Sequence, residues 1–87
     1  MKIISKPIDM VAWFDKTGKA HPVRFRFEDE NGEFKSIVVG KVLNIDLEKL
    51  CGNPARVFTC QSNIDGVTKL YEIKFILGTS QWLLFKI

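Results

Sequence analysis

The side chains of this 87-residue chain that could do chemistry are few and scattered. Its single histidine, His21, stands before Pro22 at a turn-to-strand junction, where it reads as a solvated loop residue rather than a catalytic base. Cys51 and Cys60 form no Cys-x-x-Cys pair, and with His21 they make only three of the four ligands that a structural zinc needs. Carboxylates crowd at Glu28, Asp29, Glu30 and Glu33, around a turn, which describes an exposed hairpin tip and not an acid–base pair in a cleft. The six glycines are dispersed and mostly end elements, so no phosphate-binding loop is present. No catalytic, cofactor-binding or metal-ligating residue is expected, and the chain reads as a non-enzyme.

Basic and aromatic residues carry the more specific idea. The formal charge is +3, and residues 28–33 hold four of the ten acids and no base, leaving 13 basic against 6 acidic residues elsewhere. Arg24 and Arg26 alternate on one strand, with Lys35 or Lys41 as neighbours, while Trp13 and Trp82 offer stacking surfaces. Small β-barrels bind single-stranded nucleic acid through grooves of this composition. The same alternation also describes the ordinary solvent face of a half-buried sheet, and no contiguous basic stretch or RNA- or DNA-binding signature accompanies it.

Those residues must be positioned by one small domain spanning residues 1–87. A compact chain of this length has a radius of gyration of about 12 Å and buries about 60–65% of its unfolded surface. With 46% hydrophobic residues and seven Phe, one core is affordable but must use most of them. No apolar run reaches the roughly 18 residues of a membrane span, and residues 1–7 lack the apolar region of a signal peptide. A cytoplasmic protein with reduced thiols is expected, Cys60 facing inward and Cys51 more exposed.

The elements are strands and turns throughout. The clearest runs from Phe58 to Phe75, an alternating sequence that folds back at Asp65-Gly66, a dipeptide suited to a two-residue type I′ turn. In that register Ile64 faces Val67, Cys60 faces Tyr71 and Phe58 faces Ile73, on one face. Thr59, Gln61, Asn63, Thr68, Glu72 and Lys74 fall on the other. Ile8–Asp15 form a first strand after Pro7, and Asp15-Lys-Thr-Gly18 turns into His21–Glu28, where Val23, Phe25 and Phe27 alternate with Arg24 and Arg26. Asn31-Gly32 leads into a third strand from Glu33 to about Ile45, interrupted at Gly40. A three-residue loop with a Gly32 bulge is favoured there over a two-residue loop, because it sets Ile37 and Val39 on the Phe25/Phe27 face. Asn44–Gly52 is the one helical candidate, a turn or two near 46–51, with Asp46 as cap and Gly52 beyond its end. Gly78-Thr-Ser turns into a last strand, Trp82–Ile87.

About six strands in consecutive hairpins make an all-β antiparallel meander, and closing it into a small barrel or roll removes its bare face and edges. The chain resembles a group of short proteins of clostridia-like Firmicutes that have no assigned function. The resemblance rests on Ala12-Trp-Phe-Asp15, Pro22-Val-Arg-Phe-Arg-Phe27, Val57-Phe-Thr-Cys-Gln-Ser62 and Trp82-Leu-Leu-Phe-Lys-Ile87. It implies a stand-alone bacterial domain and brings no activity, cofactor or site residue with it.

The first expectation is therefore a binding or protein-interaction module, working as a homodimer or with a protein partner through a two-tryptophan patch where first and last strands meet. The second is a basic barrel for RNA or single-stranded DNA, with Arg24, Arg26, Lys35 and Lys41 on phosphates and Trp13 or Trp82 on bases.

Overall fold

The hairpin from Phe58 to Phe75 forms as the turn chemistry dictates. In the computed structural model, which describes residues 1–50 and 52–87 and Leu50 by its backbone alone, Asp65 and Gly66 hold φ of 52° and 80°. Ile64 pairs with Val67, Cys60 with Tyr71 and Phe58 with Ile73. Both φ values are positive, as a type I′ turn requires, and the turn twists with the strands it joins. The reading of Cys51 as an exposed thiol falls outside the described residues.

Among the described residues, seven strands make one antiparallel sheet: β1 (Ile3–Phe14), β2 (Ala20–Glu28), β3 (Phe34–Val38), β4 (Lys41–Leu50), β5 (Asn53–Ile64), β6 (Val67–Ile76) and β7 (Gln81–Lys86). Their order is β3-β2-β1-β7-β6-β5-β4, curled into a half-barrel with a radius of gyration of 12.7 Å. The meander of about six strands is correct in class, and the extra strand arises because the expected third one is divided at Gly40.

Two long segments turn the corners of the half-barrel. β1 pairs with β7 from Ile3 to Ile8 and with β2 from Asp9 to Phe14. It starts at Ile3 rather than Ile8, so Pro7 lies inside the strand, at the point where β1 changes partner and a missing N–H is tolerated. The β3–β4 segment does likewise, pairing first with β2 and then with β5. At its bend the Val39 N–H donates to the Val23 carbonyl (2.9 Å), and a β-carbon on Gly40 would stand 2.7 Å from the Gln61 carbonyl oxygen. Only glycine allows that approach.

A buried hydroxyl closes this seam. Ser62, 3% exposed, donates to the Val38 carbonyl at 2.7 Å, and it accepts the Gly40 N–H at 3.1 Å and the Tyr71 hydroxyl at 2.6 Å. One donor and two lone pairs are thereby all used. Tyr71 and Cys60, fully buried beside the seam, are held neutral, because burial pushes both groups up to about 12.

That shift predicts alkaline weakening. A group raised above its unfolded value stabilises fully below that value, about 8.5 for the thiol and about 10 for the phenol. The contribution is lost as pH climbs through the folded value of about 12. Urea midpoints should be level up to pH ~8 and then fall steeply toward pH ~11. A flat profile over that range would contradict burial of the pair.

The Asn31-Gly32 hairpin adopts the three-residue loop. Phe25 pairs with Ile37, and the Asp29 N–H meets the Glu33 carbonyl at 2.8 Å with Gly32 at φ 77°. Asp15–Lys19 repeats it: in both loops the first Asp accepts the N–H groups two and four residues on, with Gly18 or Gly32 in the left-handed region.

The helical turn expected near 46–51 is not formed. Residues 44–50 are strand, paired from Asn44↔Thr59 to Leu50↔Asn53. Ile45 and Leu47 alternate with Asp46 and Glu48, a period of two, and so few residues make a poor autonomous helix. Gly52, at φ 75°, serves a hairpin turn instead of a helix end.

The core fills the concave face with Phe25, Ile37, Phe58, Cys60, Tyr71, Ile73, Phe75, Trp82 and Leu84, edged by Ile8, Met10 and Ala12. The convex face is not uniformly wet. Lys74 there is only 13% exposed, 2.8 Å from the Glu48 carboxylate and 3.6 Å from the Phe85 ring centroid. Lys74 is on the outer face, as its register requires, but it covers apolar surface with its stem and ring partner.

Candidate interaction face

Trp13, Arg24 and Arg26 come together on the convex side of β1, β2 and β3. Cross-strand register sets the rows: Trp13 opposite His21, then Val11–Arg24–Val38, then Asp9–Arg26–Ser36. A bulge shapes the middle row. The β1–β2 register shifts between Val11 and Ala12, so Val23 is the extra residue and turns outward with Arg24, while Pro22 is buried. Val23 thus departs from the inward alternation expected of it with Phe25 and Phe27.

Five large apolar side chains stand exposed on this face: Val11, Trp13 (55%), Val23, Phe34 and Val38 (65%). The same face holds a shallow depression of about 420 Å³ lined by Asp9, Val11, Arg24, Arg26 and Ser36 among others. Arg26 is committed within the face: its guanidinium reaches Asp9 at 2.8 and 3.2 Å and lies 4.5 Å from the Phe34 ring centroid. Arg24 has no ion-pair partner among the described residues.

Trp13 is held rigidly. His21 belongs to β2 rather than to a solvated loop, and its ring stacks on the indole at 4.0 Å and 11°. The His21 Nε2 is 3.0 Å from the Asp15 carboxylate, which also accepts the Thr17 hydroxyl at 2.6 Å and the Thr17 and Lys19 N–H groups. The Thr17 hydroxyl above all, then His21 and the Lys19 N–H, hold the Asp15 carboxyl well below the usual carboxylate range. Asp15 therefore ties the turn to His21, and His21 fixes the plane of Trp13.

The other expected surface residues are elsewhere. Trp82 is a correction: it is 8% exposed on the concave side, with ring centroids of Phe75 and Phe58 at 4.6 and 5.6 Å. Leu83 and Leu84 follow it, so the alternation of this apolar strand could not show which side faces in. Lys35 pairs with Phe27 on the concave side, 3.9 Å from Asp29, and Lys41 begins β4 opposite Gln61 in the other wing of the sheet. The six residues do not form one basic track. The Asp9–Arg26 pair, 17 residues apart, carried no local signal, and Val23 could be found outward only through the bulge. Among the described residues no group of three or more potential metal ligands occurs, and no helix is long and apolar enough to cross a membrane.

No family model, curated protein or solved structure matches this chain.

Proposed function

We propose that this protein is a small cytoplasmic interaction module whose outer β1–β2–β3 face packs against the same face of a second copy. The observation that carries the reading is the group of five exposed apolar side chains on the face that Arg24 and Arg26 share, on a molecule whose core is on the opposite side of the sheet. Interfaces favour this composition, with aromatic and arginine residues at the centre and polar groups at the rim.

A second copy suits the face because the face carries both signs. A two-fold contact brings a patch onto itself, so basic positions must find acidic ones within the same patch. Arg24 and Arg26 lie in rows beside Asp9 and Glu28, which gives that self-complementarity. Area sets the strength. A standard interface takes about 800 Å² from each partner, whereas three strands five residues long present a face of roughly 14 by 17 Å. Weak, micromolar self-association is the expected outcome.

A single-strand nucleic-acid groove is less well supported, since Arg26 is neutralised by Asp9, Trp82 is buried and Lys35 faces the other side. Sedimentation velocity from about 10 μM to about 1 mM should show a monomer–dimer equilibrium. Arg24→Glu, which places a third acid among Asp9 and Glu28, should shift it to monomer with the fold intact. A monomer throughout, or a dimer indifferent to Arg24→Glu, contradicts the reading. Tight, steeply salt-dependent binding of a labelled oligonucleotide would favour the nucleic-acid alternative instead.

A further inference from the structure

The half-barrel is bonded at the Gly40 seam but splays apart on one side of it, between β3 and the tip of the β5–β6 hairpin. The ladder phase shows which backbone groups face that gap. Val23–Val39 and Asp29–Glu33 are bonded pairs of the β2–β3 register, so the odd residues of β3 bond to β2 and the even ones point away. Among the described residues the N–H and C=O of Phe34 and Ser36 and the N–H of Val38 have no hydrogen-bond partner, while the Val38 carbonyl is taken by Ser62. Five residues of sheet edge, about 17 Å, are left open.

What lies beside this edge is concave and mixed in character. A cavity of about 350 Å³ is lined by Phe27, Lys35, Ile37, Ile64, Lys69 and Ile87 among others. It adjoins a second of about 390 Å³ through shared Phe27, Lys35 and Ile87, and this second one adds Lys2 and Lys6. The floor is apolar, and the rim carries both signs, with Lys2, Lys6, Lys35 and Lys69 beside Asp29, Glu30 and Asp65. Of the rim lysines Lys35 has a carboxylate partner, distant at 3.9 Å, and Lys2 and Lys69 have none among the described residues.

We propose that this gap is a strand-acceptor site, which takes an extended segment of a partner protein carrying alternate apolar residues and an acidic residue at the mouth. The unpaired edge supplies main-chain bonds, as in other cases of strand addition, and the floor and lysines select the side chains. A strand added to β3 sends every second side chain to the concave side, onto Phe27, Ile37, Ile64 and Ile87. Its acidic residue meets Lys35 and Lys69. The site uses the backbone edge of β3 and the concave side, whereas self-association uses the outward side chains of the same strand, and it does not depend on the dimer.

The test uses the full chain, isotopically labelled, and a blocked hexapeptide of alternating threonine and valine ending in glutamate. The expected result is saturable binding that slows amide exchange at Phe34, Ser36 and Val38 and shifts Lys69. The same peptide N-methylated at alternate residues, and the Lys35→Glu/Lys69→Glu variant, should each bind about tenfold or more weaker. Trp13→Ala, on the other face, should bind as the parent does, so failure here is separable from failure of the dimer. No slowing of exchange at those three amides at millimolar peptide overturns the proposal. So does equal binding of the N-methylated peptide, or dodecanoate occupying the cavity while the peptide does not.

Discussion

Replacing the two tryptophans should have opposite consequences. Trp82→Ala is expected to lower stability by about 3–5 kcal/mol, the usual cost of truncating a large buried ring. Against a total of about 5–15 kcal/mol that is a severe loss for a domain this small. The cause is local: Trp82 fills the space between Phe58 and Phe75 and stands opposite Ile8 across the β1–β7 ladder. Trp13→Ala, by contrast, should cost less than about 1 kcal/mol, because most of that side chain faces water and its main neighbour is the His21 ring. It should instead abolish self-association. Urea unfolding followed by circular dichroism, beside sedimentation of the same two variants, reads both effects. Equal destabilisation by the two substitutions would contradict the assignment of one tryptophan to the core and the other to the surface.

The second large effect is expected at the seam. Gly40→Ala drives a methyl group against the Gln61 carbonyl, 2.7 Å away and part of the backbone, so neither side yields without moving a strand. Overpacking of this kind costs about 1–3 kcal/mol. Ser62→Ala removes one atom and leaves three groups short of a partner: the buried Tyr71 hydroxyl and, in part-buried bonds, the Val38 carbonyl and the Gly40 N–H. An unmade buried hydrogen bond costs about 1–3 kcal/mol, and Ser62→Ala should fall within that range. Tyr71→Phe, which keeps the ring and takes away only one of the three bonds, should cost about 1 kcal/mol. Because Gly40 and Ser62 act on the same contact, their combined effect should fall short of the sum. Strict additivity in the double variant would indicate two independent sites rather than one seam.

These residues also mark where sequence and structure part company. The Phe58–Phe75 hairpin was legible because everything that sets it is local: an Asp-Gly turn and apolar residues alternating on both sides. The β2–β3 register was legible for a related reason, since only a three-residue loop matches Phe25 with Ile37. β4 was not, because Asp46 and Glu48 suit a helix start as well as the outer face of a strand, and the deciding term is the ladder with β5. Trp82 could not be oriented among Trp82-Leu-Leu-Phe, where either alternate set can face inward. Ser62 reads as a small polar residue on an apolar face, and its role emerges only when β3 and β5 meet at Gly40. At the candidate face Arg24 and Trp13 lie together on the outer side of the sheet, as the alternation of β2 allows. The Asp9 that neutralises Arg26 belongs to another strand, and no spacing within β2 announces it.

The claim that the outer β1–β2–β3 face is the working surface is tested most directly by following amide and indole signals of the labelled protein on dilution from about 1 mM to about 10 μM. The predicted result is a concentration-dependent shift at Val11, the Trp13 indole N–H, Val23, Arg24 and Val38, with β5 and β6 unmoved. Signals that stay fixed over the whole range, or that move on β4 while this face stays still, would contradict it.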